Sequence, residues 1–414
     1  MPSTLRFTTS RRALAAALTT FACLLLVAVP RAHAARGMEV ALEDDPVFVN
    51  QYYYDRERAL QQAQSLGVSR IRVNLGWAPS LQGRANLRFP PAAPTYNFAA
   101  VDSFIDAAAR YGIRIQLTLT GPAPAFATGN HRVGPYQPNG KYFGKFASAV
   151  AAHFRGRVDR YSIWNEPNYV GWIAPLRQEA SIYRDLYING YNAIKRADPR
   201  AQVLIGETVP YSIRRLAQSP IAFLRGVTCV DGNYQRVGGC KGPRTLRADG
   251  YAHHPYEFKH APNFRYPGAD NATLGTIKNL TRALDNLGKA RVLKPNRGSH
   301  LSLYFTEYGY FASGKRKIAD SKRAPWLRQA FTMAQKMPRV KEMLQYLLIH
   351  PPARFSGAFF DTSILTTSGS ILSPFQSLLA WSQQAAAKRQ ILLPRAPILF
   401  PPAPPGSAPA PRRR

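Results

Sequence analysis

The sequence predicts a single (β/α)8 barrel, and three observations carry that expectation. Short apolar runs alternate with amphipathic stretches along the chain, the pattern of βα units built around a parallel sheet. The body between the two termini, about 355 residues, contains no linker-like segment and no repeat, and such barrels run from about 200 to over 400 residues as one unit. No Gly-rich phosphate fingerprint follows the first strand, which argues against an open dinucleotide-binding sheet.

Taken in order, the first strand is expected over Met38–Leu42. From Arg56 to Leu66, Leu60, Ala63 and Leu66 fall at helical spacing and stop at Gly67, a residue suited to a helix C-terminus. Arg70–Leu75 then reads as the second strand. Val101, Phe104, Ile105 and Ala108 recur at i, i+3, i+4 and i+7, one apolar helix face that ends before Gly112. Ile113, Ile115, Leu117 and Leu119 alternate as the third strand. A helix at Tyr142–Phe154 leads to a strand at Val158–Trp164, and a helix at Glu179–Arg196 leads to one at Ala201–Ile205. A helix at Ser212–Leu224 and a cysteine-bearing loop lead to a sixth strand at Gly250–Ala252. Helices at Thr273–Leu287 and Pro325–Gln335 precede strands at Leu301–Phe305 and Met343–Ile349, and a helix at Pro374–Gln384 closes the barrel.

Neither end belongs to this pattern. Residues 1–34 carry Arg6, Arg11 and Arg12, an apolar run from Ala13 to Val29 and then Ala32-His33-Ala34, which reads as a secretory signal peptide. The run is short for a membrane anchor, and a small-residue cleavage site ends it. The barrel is expected over 35–390. Residues 391–414, crowded with proline and alanine and closing on Arg412-Arg413-Arg414, are expected to form a disordered tail.

The chain carries 55 Lys and Arg against 23 Asp and Glu, a formal charge of +32. Such a surface attracts polyanions in general, including acidic polysaccharides, cell-wall polymers, anionic lipid and nucleic acid. The basic residues are scattered and form no nucleic-acid-binding motif, so specific nucleic-acid recognition is not expected. Of the three cysteines, Cys23 lies in the leader; Cys229 and Cys240 flank a Gly-containing loop and are expected to pair as a disulfide in a secreted chain.

Active sites of such barrels sit at the C-terminal ends of the strands. The fourth strand ends in Trp164-Asn165-Glu166-Pro167-Asn168 and the seventh in Thr306-Glu307-Tyr308-Gly309, so each glutamate should project into the barrel mouth. Hydrolysis of a glycosidic bond needs two carboxyl groups, one to protonate the leaving oxygen and one to attack or to activate water. In a chain with so few acids, two at strand ends are informative.

These two motifs resemble the acid/base and nucleophile signatures of glycoside hydrolase clan A, retaining (β/α)8 enzymes that include families 5 and 39. The resemblance spans the barrel. It implies Glu166 as acid/base, Glu307 as nucleophile and Asn165 as the amide that holds the substrate 2-hydroxyl. It also implies Arg72, at the second strand, as the partner that keeps Glu307 ionised, with His254 and Tyr256 lining the site and Tyr256 donating to the nucleophile. Trp77 and Trp172 follow the second and fourth strands and are candidates for stacking on sugar faces, as are Tyr308 and Tyr310. His253 and His254 are adjacent, so on a strand they point to opposite faces and cannot share a metal. No metal or organic cofactor is implied.

One position departs from the clan. Its members usually carry a tryptophan at the end of the eighth strand, whereas this chain reads Tyr346-Leu347-Leu348-Ile349-His350-Pro351 there, so either another aromatic, Phe355 or Phe359, serves or the −1 sugar site is altered. The expected function is a secreted or wall-associated, monomeric, retaining glycosidase acting on a poly- or oligosaccharide, with an anionic glycan as one candidate. The alternative is a non-catalytic carbohydrate-binding or cell-wall-associated barrel.

Overall fold

A computed structural model describes residues 37–355 and 360–400. The expected signal peptide, Phe359 and the end of the tail lie outside the described residues. Eight parallel strands form the barrel: β1 (Met38–Glu43), β2 (Arg70–Gly76), β3 (Arg114–Thr120), β4 (Arg160–Ile163), β5 (Gln202–Thr208), β6 (Gly250–His253), β7 (Leu303–Phe305) and β8 (Val340–Tyr346). Each pairs with its neighbours in sequence, and β8 closes on β1 with Glu39 opposite Glu342 and Glu43 opposite Tyr346.

The surrounding helices are α1 (Arg56–Ser65), α2 (Ala99–Arg110), α3 (Gly140–His153), α4 (Glu179–Ala197), α5 (Pro220–Thr228), α6 (Lys278–Lys289), α7 (Asp320–Gln335) and α8 (Ser373–Ala387). Strand residues of one parity, such as Ile71, Val73 and Leu75, are buried against the helices. The other parity fills the barrel axis, and there the chain places charge. Arg70 and Arg160 both bind Glu39, and Arg160 also binds Glu342 at 2.6 Å while lying 4.5 Å over the Tyr304 ring. Burial alone would raise the Glu39 carboxyl, yet Arg160 and Arg70 together hold it down at about 2. One arginine layer higher, Arg72 gathers the carboxylates of the barrel mouth.

Four elements differ from the sequence expectation: α7 begins at Asp320, five residues before the expected Pro325, α6 begins at Lys278 and not Thr273, and two differences are larger. The helix expected over Ser212–Leu224 starts only at Pro220, which occupies the first helical position behind Ser219. A proline ring would clash with the carbonyl four residues earlier, so the segment before it becomes a loop with an Ile213–Ala217 bridge. The tail is not wholly disordered either. Ile391–Leu392 pairs in parallel with β1, the Ile398 amide donates to Ala109 O at 2.9 Å, and Arg157 lies over the Phe400 ring. The apolar residues Ile391, Ile398 and Phe400 anchor a stretch that its proline content marks as unstructured. Cys229 and Cys240 form the expected disulfide.

Candidate active site

The loop after β4 places the first glutamate. Trp164 and Glu166 both adopt left-handed backbone conformations, with φ of 66° and 39°. Such values are costly for residues with a Cβ and persist only where surrounding structure fixes them. Trp164 is thereby turned into the packing between barrel and helix, edge-on to Phe143, with its indole N–H donating to Trp172 O at 3.0 Å. Asn165 and Glu166 face the mouth. The Glu166 amide donates to Glu207 O at 3.0 Å, and the Asn165 amide to Thr120 Oγ1 at 3.1 Å.

Glu307, after β7, stands across from it. A carboxylate oxygen of each glutamate and a ring nitrogen of His254 lie within 4.8 Å of one another. His254 Nδ1 is 3.1 Å from Glu166 Oε1 and 3.5 Å from Glu307 Oε2. Tyr256 donates its hydroxyl to Glu307 Oε2 at 3.0 Å, and Arg72 Nη1 donates to Glu307 Oε1 at 2.9 Å. Arg72 is fully buried, and its guanidinium also donates to Glu207 Oε2 at 2.6 Å, to Thr118 Oγ1 at 2.9 Å and to Glu43. Its remaining donor goes to Asn165 Oδ1 at 2.7 Å. Because arginine has only donors, this contact fixes which way the Asn165 amide points and leaves its NH2 as the group available to a bound molecule.

The two glutamates differ in environment. Burial raises the Glu166 carboxyl to about 7, with Arg72 opposing and Glu207 adding to the rise. Burial also raises Glu307, but His254 and Arg72 work against it, and its two oxygens receive the Tyr256 and Arg72 donors. Glu307 is therefore the better anion and Glu166 the better acid. Burial pulls the His254 imidazole down, with the Glu307 carboxylate opposing. The Glu166, His254 and Glu307 atoms are close enough to close on a cation. Against that, Glu307 is already committed to a guanidinium, whose positive charge would repel the ion.

A cavity of about 640 Å³ opens above this pair. Glu43, Asp45, Asn74 and Asn165 add polar groups to its lining, and Tyr169, Trp172 and Tyr211 add aromatic ones. Trp172 lies at the cavity. Trp77 does not: it is fully buried between Phe126, Phe143 and Phe146, on the helix-facing parity of Ile71, Val73 and Leu75, which corrects its assignment to sugar contact. Tyr308 and Tyr310 are buried too and bond to each other at 2.9 Å. His253 faces away from the axis, with its ring nitrogens on Thr208 Oγ1 and Ala272 O. Tyr346, the last residue of β8, and Phe360, further along the chain, line the cavity, while Phe355 packs on Tyr52 and Tyr53.

Sequence reasoning missed Glu207. It follows Gly206, whose missing side chain lets Ala252 O approach; a Cβ there would meet that oxygen at 2.3 Å. The register shift between Gly206 and Thr208 turns Glu207, at a φ of 54°, into the axis. An acid following a glycine at a strand end was the available signal.

Solved structures share this architecture. A family 39 glycoside hydrolase from Bacteroides cellulosilyticus superposes with a TM-score of 0.60 at 17% identity, covering 84% of this chain and 64% of that one. The chain shares the (β/α)8 barrel fold of that protein. A glucosidase from Croceicoccus marinus gives 0.56 at 15% identity, covering 84% of this chain and 68% of that one. An exo-β-1,4-mannosidase from an Opitutaceae bacterium gives 0.54 at 14%, covering 86% and 61%. The chain therefore spans less than two thirds of the first and third of these proteins. No protein-family model and no curated protein matches the sequence.

Proposed function

We propose that the chain is a retaining glycoside hydrolase in which Glu307 attacks the anomeric carbon while Glu166 protonates the departing oxygen. Water activated by Glu166 then releases the sugar from Glu307 with net retention. The observation that carries this reading is the approach of Glu166 and Glu307 oxygens to within 4.8 Å across the cavity. That is near the roughly 5–5.5 Å carboxyl spacing of retaining enzymes and shorter than the roughly 6.5–9.5 Å that an inverting enzyme needs to seat a water.

Arg72 and Tyr256 hold Glu307 as the anion through two donated hydrogen bonds. Asn165, with its carbonyl committed to Arg72, presents its NH2 to the sugar 2-hydroxyl. The glycone is neutral on this reading, because a carboxylate-bearing sugar would face Glu307, held as an anion, and whichever of Glu43 and Asp45 is ionised. The Cys229–Cys240 disulfide supports action outside the cytoplasm, as a secreted or wall-associated monomer.

The test compares the purified protein with Glu307→Gln on a panel of aryl glycosides and polysaccharides. Hydrolysis by the parent with retention of configuration, abolished in a folded Glu307→Gln protein, is the expected result. Equal glycan binding by both proteins with no cleavage by either would make the barrel a binding scaffold.

A further inference from the structure

The cavity is lined mostly by apolar and aromatic side chains, and one stretch of that lining is tied to the loop that carries Glu166. Tyr256, Phe258, Tyr346, Leu347 and Phe360 line the cavity near Glu307, and Glu43, Asp45, Asn74 and Asn165 add polar groups. Tyr169, Trp172, Val209, Tyr211, Ile213 and Leu216 form the wall beside Glu166. Among the described residues, none of this wall carries charge, and Arg316, from the segment after β7, is the only cation lining the cavity. Arg214 and Arg215, in the same loop as Ile213, are exposed and lie outside the lining.

The wall is fastened to the segment that carries the acid. Val170 N donates to Leu216 O at 2.8 Å, and Gln218 N to Asn168 O at 2.9 Å. The fully buried Asn168 side chain accepts from Val209 N at 2.9 Å and donates to Gln218 O at 2.7 Å. Ile213 and Leu216 nonetheless remain 40% and 43% exposed at the mouth. A loop this well tied that still presents aliphatic side chains to water is built to cover something apolar.

A general acid must stand against the oxygen it protonates, so the leaving group lies on the side of Glu166. We infer that the leaving group of the substrate is an apolar, non-carbohydrate aglycone, and that the protein takes alkyl, aryl or lipid-like glycosides in preference to polysaccharide. This rests on the assignment of Glu166 as acid in the proposed function. Aromatic rings alone would suit a sugar face, but Val209, Ile213 and Leu216 offer no partner to hydroxyl groups, which would be desolvated there without compensation. In the reaction, the Glu166 proton passes to the glycosidic oxygen as its bond to the anomeric carbon breaks and the Glu307 bond forms. The aglycone leaves as a neutral alcohol and water completes the turnover.

The experiment first finds a cleaved glycone with aryl glycosides. It then measures kcat/KM for the methyl, butyl and octyl glycosides of that sugar and for a disaccharide with the same non-reducing unit. The three alcohols have nearly equal acidity, so chain length reports burial alone. Burying one CH2 is worth about a fourfold gain, so kcat/KM should climb by about that factor per carbon over the first few carbons and exceed that for the disaccharide. Ile213→Asp with Leu216→Asp should flatten the slope. Calorimetry with Glu307→Gln should show the same chain-length dependence in binding of the intact alkyl glycosides. A flat slope in the parent, or a preferred disaccharide, overturns the inference while leaving the glycosidase standing. If no glycoside is cleaved at all, the proposed function fails and this inference falls with it.

Discussion

Replacing Glu166 by glutamine should stabilise the fold in alkaline solution and leave it unchanged in acid. Burial raises the Glu166 carboxyl from 4.5 to about 7, and its side chain is 19% exposed, so little solvent screens it. Below about pH 4.5 the group is protonated in both folded and unfolded chains and costs nothing. Between about 4.5 and 7 the unfolded chain gives up the proton while the folded one keeps it, so stability is lost as pH rises through this window. Above 7 the folded protein holds an ionised, buried carboxylate, a full cost of about 3 kcal/mol. Glutamine is neutral throughout and keeps a donor for His254 Nδ1. The variant should therefore match the parent near pH 4 and exceed it by about 3 kcal/mol at pH 8, roughly 4 °C in Tm for a domain of this size. Other raised carboxyls, such as Asp45 and Glu342 at about 7, titrate in both proteins and cancel in the difference. Denaturant or thermal unfolding of both proteins across pH 4–9 measures it. A difference that does not vary with pH would refute the claim that Glu166 is held protonated by its surroundings.

The same property sets the activity profile: kcat/KM should fall about tenfold per pH unit above 7, and Glu166→Gln should lose about 10²–10⁴-fold on poor leaving groups while largely sparing activated aryl glycosides. Arg72→Met leaves Glu43, Glu207 and Glu307 without their cation and should cost about 3–5 kcal/mol at neutral pH. Unfolding at pH 5 should show a smaller loss, because burial raises Glu43 and Glu307 and both take up protons readily. Tyr256→Phe removes the donor to Glu307 Oε2, a charged hydrogen bond of about 1.5–3 kcal/mol, so kcat/KM should fall about 10–100-fold. The ascending acid limb should also move to higher pH, which steady-state kinetics read directly. Gly112→Ala places a Cβ 1.9 Å from Arg395 O at a φ of 68°. It should release the C-terminal segment to limited proteolysis without changing kcat/KM, since Gly112 lies at the end of the barrel away from the site.

What the sequence made legible follows from how much of each feature is local. Helical and strand periodicity is local, so Val101, Phe104, Ile105 and Ala108 located α2, and alternation in Ile113–Leu119 located β3. The Trp-Asn-Glu-Pro-Asn and Thr-Glu-Tyr-Gly runs located the carboxyl pair because both directly follow strands. Trp77 was misread although the information was present: counted in steps of two from Ile71, it falls on the helix face. Glu207 escaped because a register shift, not periodicity, turns it inward. The start of α5 was misplaced because the apolar residues Ile213, Leu216 and Ile221 imitate a helix face that Pro220 interrupts. The docked residues 391–400 were hidden by composition, since proline and alanine say nothing about a few apolar anchors meeting a distant surface.

The charge balance is the feature where composition and site point in different directions. A chain with 55 basic and 23 acidic residues looks like a binder of anions. Yet it has drawn its acids inward: Glu39, Glu43, Glu207, Glu307 and Glu342 are buried along the axis, and Asp45 and Glu166 join them at the mouth. The exterior is basic partly because these acids are missing from it. At the reacting centre Arg72 stands alone against Glu43, Glu207 and Glu307, so the local field is negative wherever those groups are ionised. A negative field disfavours an anionic sugar in the ground state and favours the positive charge that grows on the ring as the glycosidic bond breaks. On the proposed mechanism, net negative charge at the barrel mouth would favour an oxocarbenium-like transition state, whereas the +32 is the formal charge of the whole chain and says nothing of the site.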